Sequence, residues 1–333
     1  MKPIRLLYLS QQDVVQTGLD LAQAVKVVIE VLTEHGRGRF ENPPKPGVHP
    51  LSDAFIHAMP GYLPRKKAIG LKWVSGFSSN AKRRLPTITG LIVLNHPRTG
   101  FPLAIMEAAY ITALRTAAVS GVAARHLARP DAQVLGIVGA GVQGRYNLLT
   151  LRQVLPALRR VQVYDINAGI LRDFTKTMTK HVPLEIQPAK SAEEAIRGAD
   201  VVVTATGVLG KPIFFERWIR RSGVLVLPVH SKGWETSALR RADKFVVDDW
   251  QQFSSVLGQR GGYYWPLPRL HAELGQIVVG LKPGRQSPDE RIVNINFGMA
   301  IHDVAMAQRA YALARRTGLG KELTLMDRLL PLM

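Results

Sequence analysis

Three glycines sit at fixed spacing in "VLGIVGAGVQGRYNLLTL", residues 134–151: Gly139, Gly141 and Gly144, with Val142 and Gln143 between the second and third. They follow the β-branched run Val134–Val138 and precede an apolar pattern of helical period, the G-x-G-x-x-G arrangement between strand and helix. The chemistry this permits is backbone recognition of a pyrophosphate. The first glycine makes the tight turn, the second lets the anion approach, and the third allows close packing of helix on strand. The helix N-terminus then offers its unpaired N–H groups. About twenty residues past Gly144, the strand "VQVY" ends in Asp165, placed to accept hydrogen bonds from an adenosine ribose diol. A carboxylate there repels a ribose phosphate, which favours NAD over NADP. Arg159 and Arg160 precede this strand and do not reverse that preference. Asp165 has a second reading as the cap of the helix beginning near Ala168, and the two roles are compatible.

The elements needed to position these groups are legible on both sides of the motif. From residue 134 to about 300 the chain alternates strands and helices: "VVVTAT", "SGVLVLPV", "KFVVDD" and "RIVNINFG" are apolar runs suited to a buried parallel sheet. Ser191 and Glu194 have the spacing of a capping box. Before the motif, "PIRLLYLS", "AFIHAMPGYL", "AIGLKWVSGF", "TITGLIVLNH" and "PLAIMEAAY" read as a mostly antiparallel sheet. The fold expected is α/β: a doubly wound Rossmann domain over residues 121–304 and an N-terminal α+β domain over residues 1–120. The tail, residues 305–333, is expected to return to the N-terminal domain.

Composition limits the function. The 333 residues contain no cysteine, which removes disulfides, thiolate metal sites and a cysteine nucleophile. The histidines are dispersed without H-E-x-x-H, so no metal is expected. Lys and Arg number 44 against 25 acidic residues, a formal charge of +19, but the bases are scattered without an aromatic platform. That pattern suits anionic small molecules better than specific nucleic-acid binding. The apolar start of "MKPIRLLYLSQQD" is too short for a signal peptide, and no run approaches the ~20 apolar residues of a membrane span. A cytoplasmic location is the expectation.

Beyond the glycines, the segments "GLKWVSGF", "LPTITGLIVL", "TGFPLAIMEAAYITALRTAAVS", "GIVGAGVQG", "ADVVVTAT" and "NFGMAIHD" resemble, in order, the ornithine cyclodeaminase/mu-crystallin family. The likeness spans nearly the whole chain. It implies a Rossmann domain joined to a substrate-binding domain that forms a homodimer. It also implies hydride chemistry at the α-carbon of an amino acid or its imine, as in cyclodeaminases, alanine dehydrogenase-like enzymes and ketimine reductases. The other function it allows is a crystallin-like protein that binds NAD(P)H and a small ligand without turnover.

By the same resemblance, Lys72 and Arg115 lie nearest the substrate carboxylate, with Lys72 also catalytic and Arg115 also near the cofactor. Arg115 stands mid-helix among Ala and Leu, where an unpaired charge is costly and a bound anion is the simplest compensation. Thr87, Thr116, Thr206 and Asn296 match cofactor-contact positions, the last beside Gly298. Two departures stand out. An arginine that the family often places ahead of the lysine segment is missing from "NPPKPGVHP", leaving Lys45, or else His49, for the substrate. Cyclodeaminases carry a proton-transferring aspartate after the fifth Rossmann strand, where this chain has "LPVHSKGWET". His230 is the substitute by chemistry, since an imidazole titrates near neutrality; its other reading is a packing histidine.

Overall fold

Alternation of buried and exposed side chains builds the first sheet, and continuous burial builds the second. The computed structural model describes residues 3–207 and 210–327. The chain divides into two compact units, residues 1–27, 39–115 and 299–333, and residues 28–38 and 116–298. The sequence placed the breaks after residues 120 and 304; the compact units break after residues 115 and 298.

In the first unit β1 (Ile4–Leu9) is followed by a helical stretch made of α1 (Gln11–Gln16) and α2 (Leu21–Gly36), the latter passing into the second unit after residue 27. Gly18, at φ +76°, interrupts it between Thr17 and Leu21. Ser10 caps α1 through the N–H of Asp13, whose carboxylate accepts from Ser10 N in return. Strands β2 (Gly47–Val48), β3 (Ala54–Leu63), β4 (Ala68–Phe77), β5 (Ile88–Asn95) and β6 (Pro102–Glu107) form an antiparallel run, with β1 parallel to β6. On β4 the residues Ala68, Gly70, Lys72, Val74 and Gly76 are buried, while the alternate residues face outward. Helix α3 (Ala109–Leu127) comes next, and the division between units falls within it.

The second unit contains β7 (Val134–Val138), α4 (Val142–Val154), β8 (Arg160–Tyr164), α5 (Ala168–Met178), β9 (Glu185–Pro188), α6 (Ala192–Ile196) and β10 (Val201–Thr204). It continues with β11 (Leu225–Pro228), α7 (Thr236–Arg240), β12 (Lys244–Val247), α8 (Trp250–Leu257), β13 (Ala272–Glu273), α9 (Leu274–Val278) and β14 (Ile292–Ile295). The strands pair in parallel in the order β13-β12-β14-β11-β10-β7-β8-β9. The strand order reverses between β7 and β10, the switch point where doubly wound sheets bind ligands. At α6 the capping reading needs correction. Ser191 Oγ accepts from Glu194 N, but the Glu194 carboxylate accepts from Lys190 N rather than from the cap itself.

The chain returns to the first unit with α10 (Ala300–Thr317), stopped by Gly318 at φ +70°, and β15 (Lys321–Met326), which pairs antiparallel with β1. Helix α10 lies on β3, β4 and β5. Gly61 permits this, since a Cβ there would come within 3.0 Å of the Ile301 backbone nitrogen. Gly136 plays a similar part in the second unit, where a Cβ would drive into the carbonyl oxygen of Ala195 on α6. Gly136→Ala is expected to lower stability by about 1–3 kcal/mol through overpacking, read from urea unfolding. An unchanged midpoint would show that α6 can move aside at no cost.

Candidate functional site

In the first unit, the register of β3, β4 and β5 sets Lys72 between Met59 and Ile92, both buried, so its stem lies among apolar side chains. Its ammonium meets one carboxylate: Nζ lies 2.7 Å from Asp303 Oδ2, with the two side chains 1% and 0% exposed. The other oxygen of Asp303 accepts from Arg115 Nε at 3.1 Å. Asp303 belongs to the first turns of α10, whose entry is fixed where Asn42 Oδ1 accepts from Ala300 N at 2.9 Å. Three elements, β4, α3 and α10, thus converge on one shared anion.

Burial first, and the Arg115 charge second, pull the Lys72 pKa down to about 7, with Asp303 opposing both. Burial raises the Asp303 pKa, but Arg115 and then Lys72 outweigh it and hold the carboxyl below its usual range. The lysine is therefore poised to exchange a proton near neutrality, while the aspartate stays charged. Lys45 also acts on Lys72 electrostatically. His57, a half-buried residue of β3, shares the sheet face of Lys72 and stacks on Phe55 at 4.4 Å. Burial, then Lys45, His49 and Lys72, lower its pKa to about 4, which keeps it neutral at pH 7.

In the second unit the other candidates follow the carboxyl ends of parallel strands, along one edge of the sheet. Gly139 takes φ +103° after β7, where a Cβ would strike the carbonyl of Ala205. A Cβ on Gly144 would strike the carbonyl of Gly139, while the space over Gly141 is open. Gly141 is the N-cap of α4 and supplies no side-chain cap, so the first-turn N–H groups remain available to an anion. Val142 is exposed, and Gln143 accepts from Asn147 Nδ2 through its carbonyl at 2.9 Å. These positions fit a pyrophosphate.

Asp165 follows β8. Its Oδ2 accepts from Ala140 N at 2.9 Å and its Oδ1 from Asn167 N at 2.8 Å, which ties the acid to the glycine loop. The cap of α5 is Asn167, whose side chain accepts from Gly169 N and Ile170 N. The capping reading of Asp165 is thereby replaced, and lone pairs remain on its oxygens for a diol. Thr206 follows β10 with its hydroxyl buried and unpartnered, and Asn296 follows β14 with Nδ2 on Asn294 Oδ1 at 2.9 Å and Oδ1 unpartnered. Asp248 holds that turn by accepting from Phe297 N at 2.8 Å and Gly298 N at 2.6 Å. His230, after β11, stacks on Phe214 at 5.5 Å, and burial lowers its pKa to about 4, with the Lys232 backbone opposing. Its imidazole is neutral at pH 7.

Thr87 lies exposed in the turn before β5, where its carbonyl accepts from Phe77 N at 2.8 Å; Thr116 is half-buried in α3. Lys45 lies in the loop before β2. Sequence reasoning missed Asp303 and His57. It assigned the compensation of Arg115 to a bound anion, whereas Asp303 supplies a first one from within the chain. A signal was present: Asp303 interrupts the buried apolar residues Ala300, Ile301, Val304 and Ala305, where a carboxylate requires a cation. No group of residues suited to hold a metal occurs among the described residues.

The family profile for "Ornithine cyclodeaminase/mu-crystallin family" matches residues 7–318. The chain is 41% identical to the nodulation efficiency protein NfeD of Rhizobium meliloti, over 96% of this chain and 98% of that one. Among solved structures it is similar to the Thermococcus litoralis Δ1-pyrroline-2-carboxylate reductase in complex with NADH and L-proline. The TM-score is 0.87 at 32% identity, covering 95% and 99% of the two chains. It is likewise similar to an archaeal alanine dehydrogenase dimer with bound NAD, with a TM-score of 0.85 at 32% identity over 97% and 100%. The chain belongs to the ornithine cyclodeaminase/mu-crystallin family.

Proposed function

We propose that this chain is an NAD(H)-dependent enzyme that transfers hydride at the α-carbon of an amino acid or its imine, working as a dehydrogenase or imine reductase. The observation that carries the reading is the buried Lys72 and Arg115 pair sharing Asp303. Two cations against one carboxylate attract a second, and Asp303 engages Arg115 at Nε, leaving the Nη edge for the substrate carboxylate. Lys72 Nζ gives a proton to the substrate nitrogen in reduction and recovers it in oxidation. A pKa of about 7 populates both of its forms at neutral pH, which suits a reversible donor. NAD(H), held by the glycine loop, α4 and Asp165, supplies or accepts the hydride.

His230 supports this direction over ammonia elimination. It stands where cyclodeaminases of the family carry an aspartate, and as a neutral imidazole it does not replace that charge. The same feature favours the second reading, a protein that binds cofactor and ligand without turnover. Incubation with a panel of amino acids, and of keto acids with amines, separates the readings by absorbance of the reduced nicotinamide and mass of the product.

Reduction is expected to slow as pH rises through about 7, because the Lys72 ammonium is lost. Lys72→Met should cost roughly ten- to a hundredfold in turnover, matching ~1.5–3 kcal/mol for a charge-assisted contact, without weakening NAD. It should also abolish the pH limb, whereas His230→Asn should keep it. A limb that survives in Lys72→Met moves the proton to another group. Calorimetric titration is expected to show NAD bound more tightly than NADP, with Asp165→Ser narrowing or reversing the difference; a wild type that prefers NADP contradicts the role of Asp165.

The partner in this reading is a second copy. On the sheet face opposite α10, Trp73 and Leu91 are register partners and remain 46% and 45% exposed, with Tyr8 at 40% in the same sheet. Such an apolar face needs covering. Light scattering at micromolar concentration is expected to give the mass of a dimer, and a monomer would leave that face unexplained.

A further inference from the structure

We propose that Asp303 is the positioning residue of the site: its two oxygens fix the Lys72 ammonium and the Arg115 guanidinium at a set separation and keep the lysine protonated for the substrate. The inference deepens the assignment of Lys72 and Arg115 to the substrate and rests on it.

The geometry assigns one oxygen to each cation, at 2.7 Å and 3.1 Å, with Asp303 fully buried. A structural ion pair needs one partner of each sign. Here one carboxylate serves two cations, an arrangement that holds like charges together at a cost in repulsion. Among the described residues the charges found to act on Lys72 besides Asp303 are cations, Arg115 on α3 and Lys45 in the loop before β2, while His57 on β3, on the same sheet face, is neutral at pH 7. His302, next to Asp303 on α10, acts on the carboxylate in the same sense as the cations. Burial and the cations Arg115 and Lys45 drive Lys72 to release its proton, and Asp303 is what opposes them. Removing its charge therefore shifts Lys72 toward its neutral form.

The test is the titration of Lys72, followed by NMR in protein labelled with 13Cε-lysine, the signal being assigned by its absence in Lys72→Met. Asp303→Asn keeps the shape and removes the charge. The Lys72 transition is expected to move toward acid by about one pH unit or more, since a neighbouring opposite charge shifts a group by ~1–3 units. The falling limb of the reduction rate should move with it. Asp303→Glu should bring the transition back toward its wild-type position. A merely structural Asp303 would lower the melting temperature in both variants and leave the Lys72 transition in place, and that result overturns the proposal. If Asp303→Asn alone does not fold, the double variant Lys72→Met/Asp303→Asn, which removes one of the two stranded cations, is expected to recover folded yield and NAD binding. No recovery would overturn the proposal as well. A wild type without turnover on any amino or imino acid would refute the proposed function, while the NMR titration would still decide the role of Asp303.

Discussion

The arrangement of the first unit depends on one interaction, the sharing of Asp303 between Lys72 and Arg115. A lysine on the buried face of a sheet and an arginine in an apolar stretch of helix are each unfavourable alone, because neither ion recovers its lost hydration from apolar neighbours. Joined through one carboxylate they become tolerable, and three elements are committed to fixed positions. Strand β4 must present Lys72 inward. Helix α10 must enter close over β3, which explains Gly61 and the bond from Ala300 N to Asn42. Helix α3 must begin so that Arg115 falls on the same carboxylate.

The charge left over is what suits the cluster to an anionic ligand. A core ion pair that balanced would have no reason to attract a ligand. This one carries an excess of positive charge in surroundings where water cannot screen it well, and under the proposed function a substrate carboxylate completes the neutralisation. The desolvation that destabilises Lys72 also brings its pKa to about 7. In the proposed function, recognition and proton exchange share one physical origin.

The second unit was largely legible in the sequence because its demands fall on backbone geometry and therefore on residue type. Gly139 must take a positive φ against the carbonyl of Ala205, and Gly144 must pass the carbonyl of Gly139. Only glycine meets those conditions, and the spacing announces the loop. The parallel strands were visible as unbroken apolar runs for a similar reason. Asp165 was legible in position but open in role, since an acid after a strand satisfies either a cap or a loop; the structure gives the cap to Asn167. Asp303 was hidden for the opposite reason. Its partners are 231 and 188 residues away along the chain, and pairing across such separations leaves no periodic trace. Lys72 was named through the family resemblance of "GLKWVSGF", which gives its position and not its partner.

His230 marks the limit of reading a side chain by its ordinary titration. An imidazole after β11 suggests an acid–base group near neutrality, yet the stack on Phe214 and the surrounding apolar packing take away the hydration its cation requires. What remains is a neutral ring that can donate one hydrogen bond from one nitrogen and accept one at the other. Lys72 experiences the same kind of burial with the opposite consequence for chemistry. Its starting value lies far above neutrality, so desolvation brings it into the working range, whereas it carries the histidine out of that range. Burial of equal character thus brings the lysine into the range where it can exchange a proton at pH 7 and leaves the imidazole neutral.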